Sequence, residues 1–175
     1  MSRPVLPPPD GFHLDAALGW LALQLPGDAL TDLDRIQPEH RQHAAVLAVR
    51  FAALVHSRRH AEARAVAAEH SRLHPADSQG WINLANAHFW LDDAAAAHAC
   101  AAARAGAFPD DGALPYTLAC YSVKLAQLDE ARRWFAEALR RGPQADILAT
   151  ALTDPDLAPL HAELRVSQAA LAAAK

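Results

Sequence analysis

The chain is poor in the residues that specify most kinds of chemistry. Its two cysteines, Cys100 and Cys120, cannot build a disulfide framework and fit a reducing compartment as ordinary buried thiols. Glycine occurs only seven times and strand-favouring residues are sparse, which argues against a sheet. No apolar run approaches the ~18 residues that would span a bilayer. No stretch long enough for a signal peptide follows Met1-Ser2-Arg3-Pro4-Val5-Leu6-Pro7-Pro8-Pro9, so the expected location is cytoplasmic, with no membrane partner. The 16 basic and 20 acidic residues leave a net charge of −4 and no basic stripe, which argues against nucleic acid as a partner. A Gly-rich phosphate loop, a nucleophile elbow, an HEXXH pair and paired catalytic carboxylates are all missing. The expectation is therefore not an enzyme: no catalytic residues, no cofactor and no metal.

What the chain has in excess is alanine, about a quarter of its residues, which points to helix and to thin side-chain layers between closely packed helices. The 12 prolines fall mostly where loops or helix starts are expected. The length of 175 residues suffices for one domain with a substantial core.

The alanines are ordered. Ala29, Ala63, Ala97 and Ala131 lie 34 residues apart, each a few residues into an apparent second helix. Four positions later stand Leu33, Ala67, Ala101 and Phe135, and Pro75, Pro109 and Pro143 lie twelve positions beyond the last three alanines. Leu84 matches Leu118, and Ala17, Phe51, Ala85 and Ala119 share one register. Where two antiparallel helices cross closely, only a small side chain fits, so alanine recurs; proline then ends the second helix of the pair.

This pattern resembles the tetratricopeptide repeat (TPR) family. The third repeat supplies Trp81, Leu84, Ala85, Ala97, Ala101 and Pro109, and the fourth Leu118, Ala119, Ala131, Phe135, Ala138 and Pro143. The second departs at Arg50, and the first is shortened. The glycine usual between the paired helices is replaced throughout, by Gln24, Arg58, Asp92 and Ala126. A narrower resemblance is to bacterial TPR proteins with an end-of-group segment, carried by Pro115-Tyr116-Thr117-Leu118-Ala119-Cys120-Tyr121 and by Asp154-Pro155-Asp156-Leu157. The resemblance implies an all-α, right-handed helical solenoid of about four helix-turn-helix repeats plus a C-terminal capping helix.

Helix pairs are expected near 12–24 with 27–37, 40–56 with 59–73, 78–91 with 93–106 and 114–125 with 128–141. A short helix follows near 144–152 and a final one from 156 to 172. Asp77 or Ser78, Gly27-Asp28 and Asp154 are the expected N-caps. The expected organisation is a disordered Pro-rich start over 1–10 and a single repeat domain over 11–175. Its repeats lie at about 12–38, 40–75, 78–109 and 112–143, with a cap over 144–175. The final helix reads as a cover for the last pair's apolar edge, or as a detachable segment that competes with ligand.

His56 and His60, and His70 and His74, are each four apart, the spacing that turns two imidazoles to one helix face. The first pair straddles an expected turn and the second ends a helix, so solvated helix-end histidines are the expectation. Cys120 would need a histidine or a helix N-terminus to become reactive, His88 being a conceivable neighbour, and a packed thiol is the simpler reading.

In the resembled fold the first helices line a concave groove. The matching residues here are Gln79, Ile82, Asn86, Phe89 and Trp90 in the third repeat, with Asn83 beside them. In the fourth they are Ala113, Tyr116, Cys120, Val123 and Lys124. In the second they are Ala45, Ala48, Ala52, Val55 and His56. The lysines and arginine of a carboxylate clamp are missing. The expected function is a non-catalytic protein–protein interaction module that holds a peptide or helix in this groove. The alternatives are a self-associating structural subunit of a larger assembly, such as a homo-oligomer, and a thiol- or metal-dependent enzyme. A terminal segment filling the groove, or Phe89 and Trp90 serving as ordinary core, is the competing reading of the same residues.

Overall fold

The computed structural model of the chain describes residues 6–173. Among these residues every regular element is helical: α1 (Asp10–Ala22), α2 (Pro26–Arg35), α3 (Ala44–His56), α4 (His60–Leu73), α5 (Ser78–Trp90), α6 (Ala94–Ala102), α7 (Ala113–Lys124), α8 (Leu128–Arg141), α9 (Gln144–Ala151) and α10 (His161–Ala173), with short 3-10 segments at Pro38–His40 and Pro155–Leu160. Two compact units divide the chain, Met1–Leu91 and Asp92–Lys175, so the helices of the third expected repeat, α5 and α6, fall in different units.

The repeat register governs packing in both units. Ala29, Ala63, Ala97 and Ala131 are each 0% exposed, as are Leu33, Ala67 and Ala101 four positions on. In the first unit α1 packs on α2, α2 on α3, α3 on α4 and α4 on α5. The layers between them are thin: Ala17, Ala29 and Ala53 share one cluster with Leu33, Ile36, Val46 and Val49, and Ala63, Ala67 and Ala87 share another with Phe51 and Leu54. Gly80 of α5 passes so near α4 that a β-carbon there would stand 3.1 Å from the Ser71 nitrogen and 3.2 Å from the His70 ring. In the second unit α6 packs on α7, α7 on α8, α8 on α9, and α9 on α10. Arg141 joins α8 to the loop after α6, donating to the carbonyls of Ala105 at 2.8 Å and Phe108 at 3.1 Å.

The turns inside the helix pairs keep their geometry without glycine. Gln24, Arg58, Asp92 and Ala126 all have left-handed φ, between 57° and 62°. At three of them the chain closes in the same way. Gln24 N–H donates to Leu21 and Leu25 N–H to Trp20; Arg58 donates to Val55 and Arg59 to Leu54; Ala126 donates to Val123 and Gln127 to Ser122. This paired pattern satisfies the last carbonyls of each first helix. The closure is set by the helix spacing, and residue type yields to it.

Several boundaries differ from expectation. Asp77 and Asp154 cap as expected, accepting from Gln79 N–H at 3.1 Å and Asp156 N–H at 2.9 Å. Asp28 does not cap: α2 begins at Pro26, whose fixed φ suits a first helical position, and its N-cap is Leu25. Residues 155–160 form a 3-10 segment rather than the start of the last helix, because Pro159 has no N–H for an α-helical ladder.

In the Pro-rich start, expected to be disordered through Asp10, Leu6 and Asp10 are buried while Pro7, Pro8 and Pro9 are exposed; its residues 1–5 lie outside the described residues. Leu6 is 6% exposed within the cluster around Ala17 and Leu33. Asp10 is 1% exposed, pairs with His40 and accepts from Gln37 N–H at 3.2 Å. The His40 hydrogen bond holds the Asp10 carboxyl below its ordinary range, against the opposing effect of burial.

A left-handed backbone strains any residue with a β-carbon by roughly 1–2 kcal/mol. Ala126→Gly relieves this at a turn where alanine contributes no polar group, so it should raise stability by about 1 kcal/mol in thermal unfolding. A drop of similar size, as glycine causes inside a helix, would show that this turn does not need the left-handed conformation.

Candidate functional site

The residues expected to line a groove lie on α5 in the first unit and on α7 in the second. On α5, Ile82 and Asn83 are buried, at 6% and 5% exposure, Asn86 and Phe89 are half-buried, and Gln79 is exposed. Gln79 Nε2 donates to Asn83 Oδ1 at 2.8 Å, so the buried amide is held by its neighbour one turn away. Trp90 ends the helix with 41% of its surface exposed. Its ring stacks on Phe51 of α3, with centroids 6.0 Å apart and planes at 27°, and lies 6.0 Å from the His60 ring of α4. Phe51 occupies the register position that alanine holds at 17, 85 and 119, and the extra volume there supports the indole. The α5 face thus offers one well-supported aromatic surface beside amide groups.

On α7 two of the expected residues, Tyr116 and Cys120, are covered from within the same unit, whereas Ala113 stays exposed. Tyr116 O–H donates to Asp154 Oδ2 at 2.7 Å, and Cys120 Sγ lies 3.9 Å from the same oxygen. The 3-10 segment that follows packs on α7, with Leu157 0% and Leu160 1% exposed, and Leu164 of α10 is 5% exposed. Tyr116 also meets Phe135 of α8, with centroids 6.2 Å apart. Val123 is half-buried; Lys124 is exposed, its Nζ 3.6 Å from Asp92 Oδ1. Two polar ties complete the arrangement. Arg132 grips Glu163 of α10 through two bonds of 2.9 and 2.8 Å, and the Asp154 carbonyl lies 3.0 Å from His161 Nε2. The segment from Asp154 to Leu160 therefore lies over Tyr116 and Cys120 of α7.

Chains of known structure share this arrangement of helices. TTC0263, a thermophilic TPR protein from Thermus thermophilus, superposes with a TM-score of 0.68 at 20% identity over 94% of this chain and 81% of its own. The structure titled MamA RS-1 ArsTM double mutant gives 0.64 at 14% identity over 83% and 79%, and MamA MSR-1 C2 gives 0.60 at 15% over 75% and 75%. The protein has the TPR fold. No family model matches the sequence, and no curated protein matches it.

Within this TPR fold the chemistry of the candidate enzyme groups runs the wrong way. Burial, and then the Asp154 and Asp156 carboxylates, push the Cys120 thiol far above its ordinary pKa. Burial likewise raises Cys100. A nucleophilic thiol needs the opposite shift. Burial and the Asp154 hydrogen bond push the Tyr116 hydroxyl upward, so it stays a donor at any ordinary pH.

The histidines correct a further expectation. His70 is fully buried, not solvated, with Nε2 3.2 Å from Asp77 Oδ2, because α5 crosses above it at Gly80. His74 Nε2 lies 2.7 Å from the Gln42 carbonyl. His56 is exposed, while His60 lies across the turn against Trp90. Among the described residues no three His, Cys, Asp or Glu side chains are grouped to hold a metal ion, and no helix is long and apolar enough to cross a membrane.

Sequence reasoning missed Asp154 as the partner of Tyr116, assigning it only a capping role; it does both, one oxygen to each. The signal was the spacing of Leu157, Leu160 and Leu164, which sets three leucines on one side of the returning segment.

The raised Cys120 pKa predicts slow chemistry. At pH 8 an aromatic disulfide reagent should label Cys120 at least about tenfold more slowly than free cysteine, and denaturant should abolish the difference. Labelling as fast as free cysteine would show that the Asp154 segment does not cover the thiol.

Proposed function

We propose that the protein is a non-catalytic protein–protein interaction module that holds a peptide or helix, with the α5 face as its principal contact surface. The observation that carries this reading is Trp90, an aromatic ring left 41% exposed and fixed from behind by Phe51 and His60. A rigid, partly exposed indole is the kind of anchor around which binding energy concentrates. Gln79 supplies an exposed amide suited to a peptide backbone, with the half-buried Asn86 and Phe89 on the same helix beside it. The shared fold of TTC0263 and the MamA structures is consistent with this role, and the upward shift of both thiols favours it over thiol catalysis.

A second reading, self-association, rests on a separate observation. Phe12 and Leu18 of α1 and Leu23 just after it are 67%, 48% and 66% exposed. Exposed apolar side chains of this size can be buried against another copy.

Affinity capture from the native cell extract, compared between wild type and Trp90→Ala with Gln79→Ala, tests the first reading. The double variant should lose about tenfold or more of the captured partner while keeping its helical circular dichroism. Equal capture by both proteins would reject the α5 face. Light scattering over a concentration series tests the second: a monomer throughout removes it.

A further inference from the structure

We propose that the cleft where α2, α3 and α4 meet is a binding site for a free aliphatic α-amino acid, held as a zwitterion. The cleft has a volume of about 340 Å³. That lies at the small end of ligand sites, roughly 300–1,000 Å³. Its floor is aliphatic: Leu54 of α3 is 4% exposed, and Leu30 of α2 and Val66 of α4 are half-buried. Its walls carry two cations, Arg50 and Arg59, and two anions, Asp34 and Glu62. Arg50 is the residue that packing does not explain. Its register position holds leucine at 84 and 118, and Leu118 is 0% exposed. The Arg50 side chain is only 21% exposed, so most of it has left water. Its Nη1 lies 2.8 Å from Asp34 Oδ1, but Asp34 is 67% exposed and needs no partner to stay charged. An ion pair to so exposed an acid contributes little to stability. A cation in a leucine position with no gain to the fold is the kind of departure that a functional site accounts for.

The charges select the ligand. A guanidinium carries five N–H donors in a planar fork, and among the described residues Asp34 is the one polar partner that Arg50 meets. Donors therefore remain for a carboxylate. Arg59 is committed elsewhere: it grips Glu62 through two bonds of 2.6 Å, and it also feels the Asp34 charge. A carboxylate alone would gain Arg50 but bring a third negative charge beside Asp34 and Glu62. An amine alone would gain the acids but face both arginines. A ligand with both charges on one carbon meets each wall with the opposite sign. Its carboxylate takes the open donors of Arg50, its ammonium turns to the exposed Asp34 carboxylate, and its side chain lies on Leu30, Leu54 and Val66. A few placed polar groups then fix orientation while the apolar floor supplies burial. The site draws on α2 and α4, the second helices of their pairs, and on none of the α5 residues, so it can fail or hold apart from the α5 reading.

Titration of the full-length chain with L-leucine, followed by nuclear magnetic resonance, tests the proposal. Amides of Leu30, Asp34, Leu54 and Val66 should shift saturably, with half-saturation at about 1 mM or below. Three analogues each remove one feature. N-acetyl-L-leucine lacks the ammonium, L-leucinamide lacks the carboxylate and glycine lacks the side chain; each should bind at least about tenfold more weakly. Arg50→Leu restores the leucine of the register, so the fold should be kept while leucine binding falls at least about tenfold. No saturable shift at these amides up to about 20 mM leucine overturns the proposal. So does any analogue that binds as tightly as leucine, or a folded Arg50→Leu chain that binds leucine unchanged. Should that variant fail to fold, the analogue series on the wild-type chain decides by itself.

Discussion

The close approach of paired helices at alanine is the constraint on which the rest of this structure depends. Ala29, Ala63, Ala97 and Ala131 have no accessible surface, so a larger side chain at any of them would have to displace its neighbours. With so little side-chain area per layer, burial alone stabilises each pair weakly, and the geometry must be fixed by other means. The turns do this, returning the chain through a left-handed residue and pairing the last carbonyls of the first helix with the next two N–H groups. That Gln24, Arg58 and Ala126 accept the strained conformation shows that closure of the helix pair outweighs local preference at these positions.

The same economy shapes the surfaces. Two register positions that depart from alanine carry aromatic contacts. Phe51 stands in for alanine and lifts Trp90 into a partly exposed position. Phe135, four residues after Ala131, meets Tyr116 and places its hydroxyl for Asp154. Trp90 of α5 stays 41% exposed, whereas Tyr116 of α7 bonds the returning segment.

Much of this was legible in the sequence, and for definite reasons. Period, helix pairing and turn positions depend on side-chain size at fixed intervals, and size is written in the residue names. Helix starts at Pro26, Ser78 and Leu128 fell within a residue of expectation, whereas α3 starts four residues later than expected, α6 ends four residues earlier, and Pro159 deforms the segment before α10. The left-handed turns were not readable from residue type, because nothing in Gln24 or Arg58 favours them; only their register gives them away. The burial of His70 was hidden because it depends on Gly80, a residue that makes room without leaving a pattern of its own. The Tyr116–Asp154 bond joins residues 38 apart, and such a pairing needs the path of the returning chain, which local periodicity does not contain. Leu157, Leu160 and Leu164 showed that the segment has one apolar side but not which surface it covers.

The most direct test of the account is the urea unfolding midpoint of Ala63→Leu in the first unit and Ala131→Leu in the second. Leucine has nearly the helix propensity of alanine, so any large change reports the crossing rather than the helix. Close packing at these positions predicts a loss of about 1–3 kcal/mol for each. An unchanged or higher midpoint for both would show that the backbones have room to spare where the alanines recur, and would contradict the account at its root.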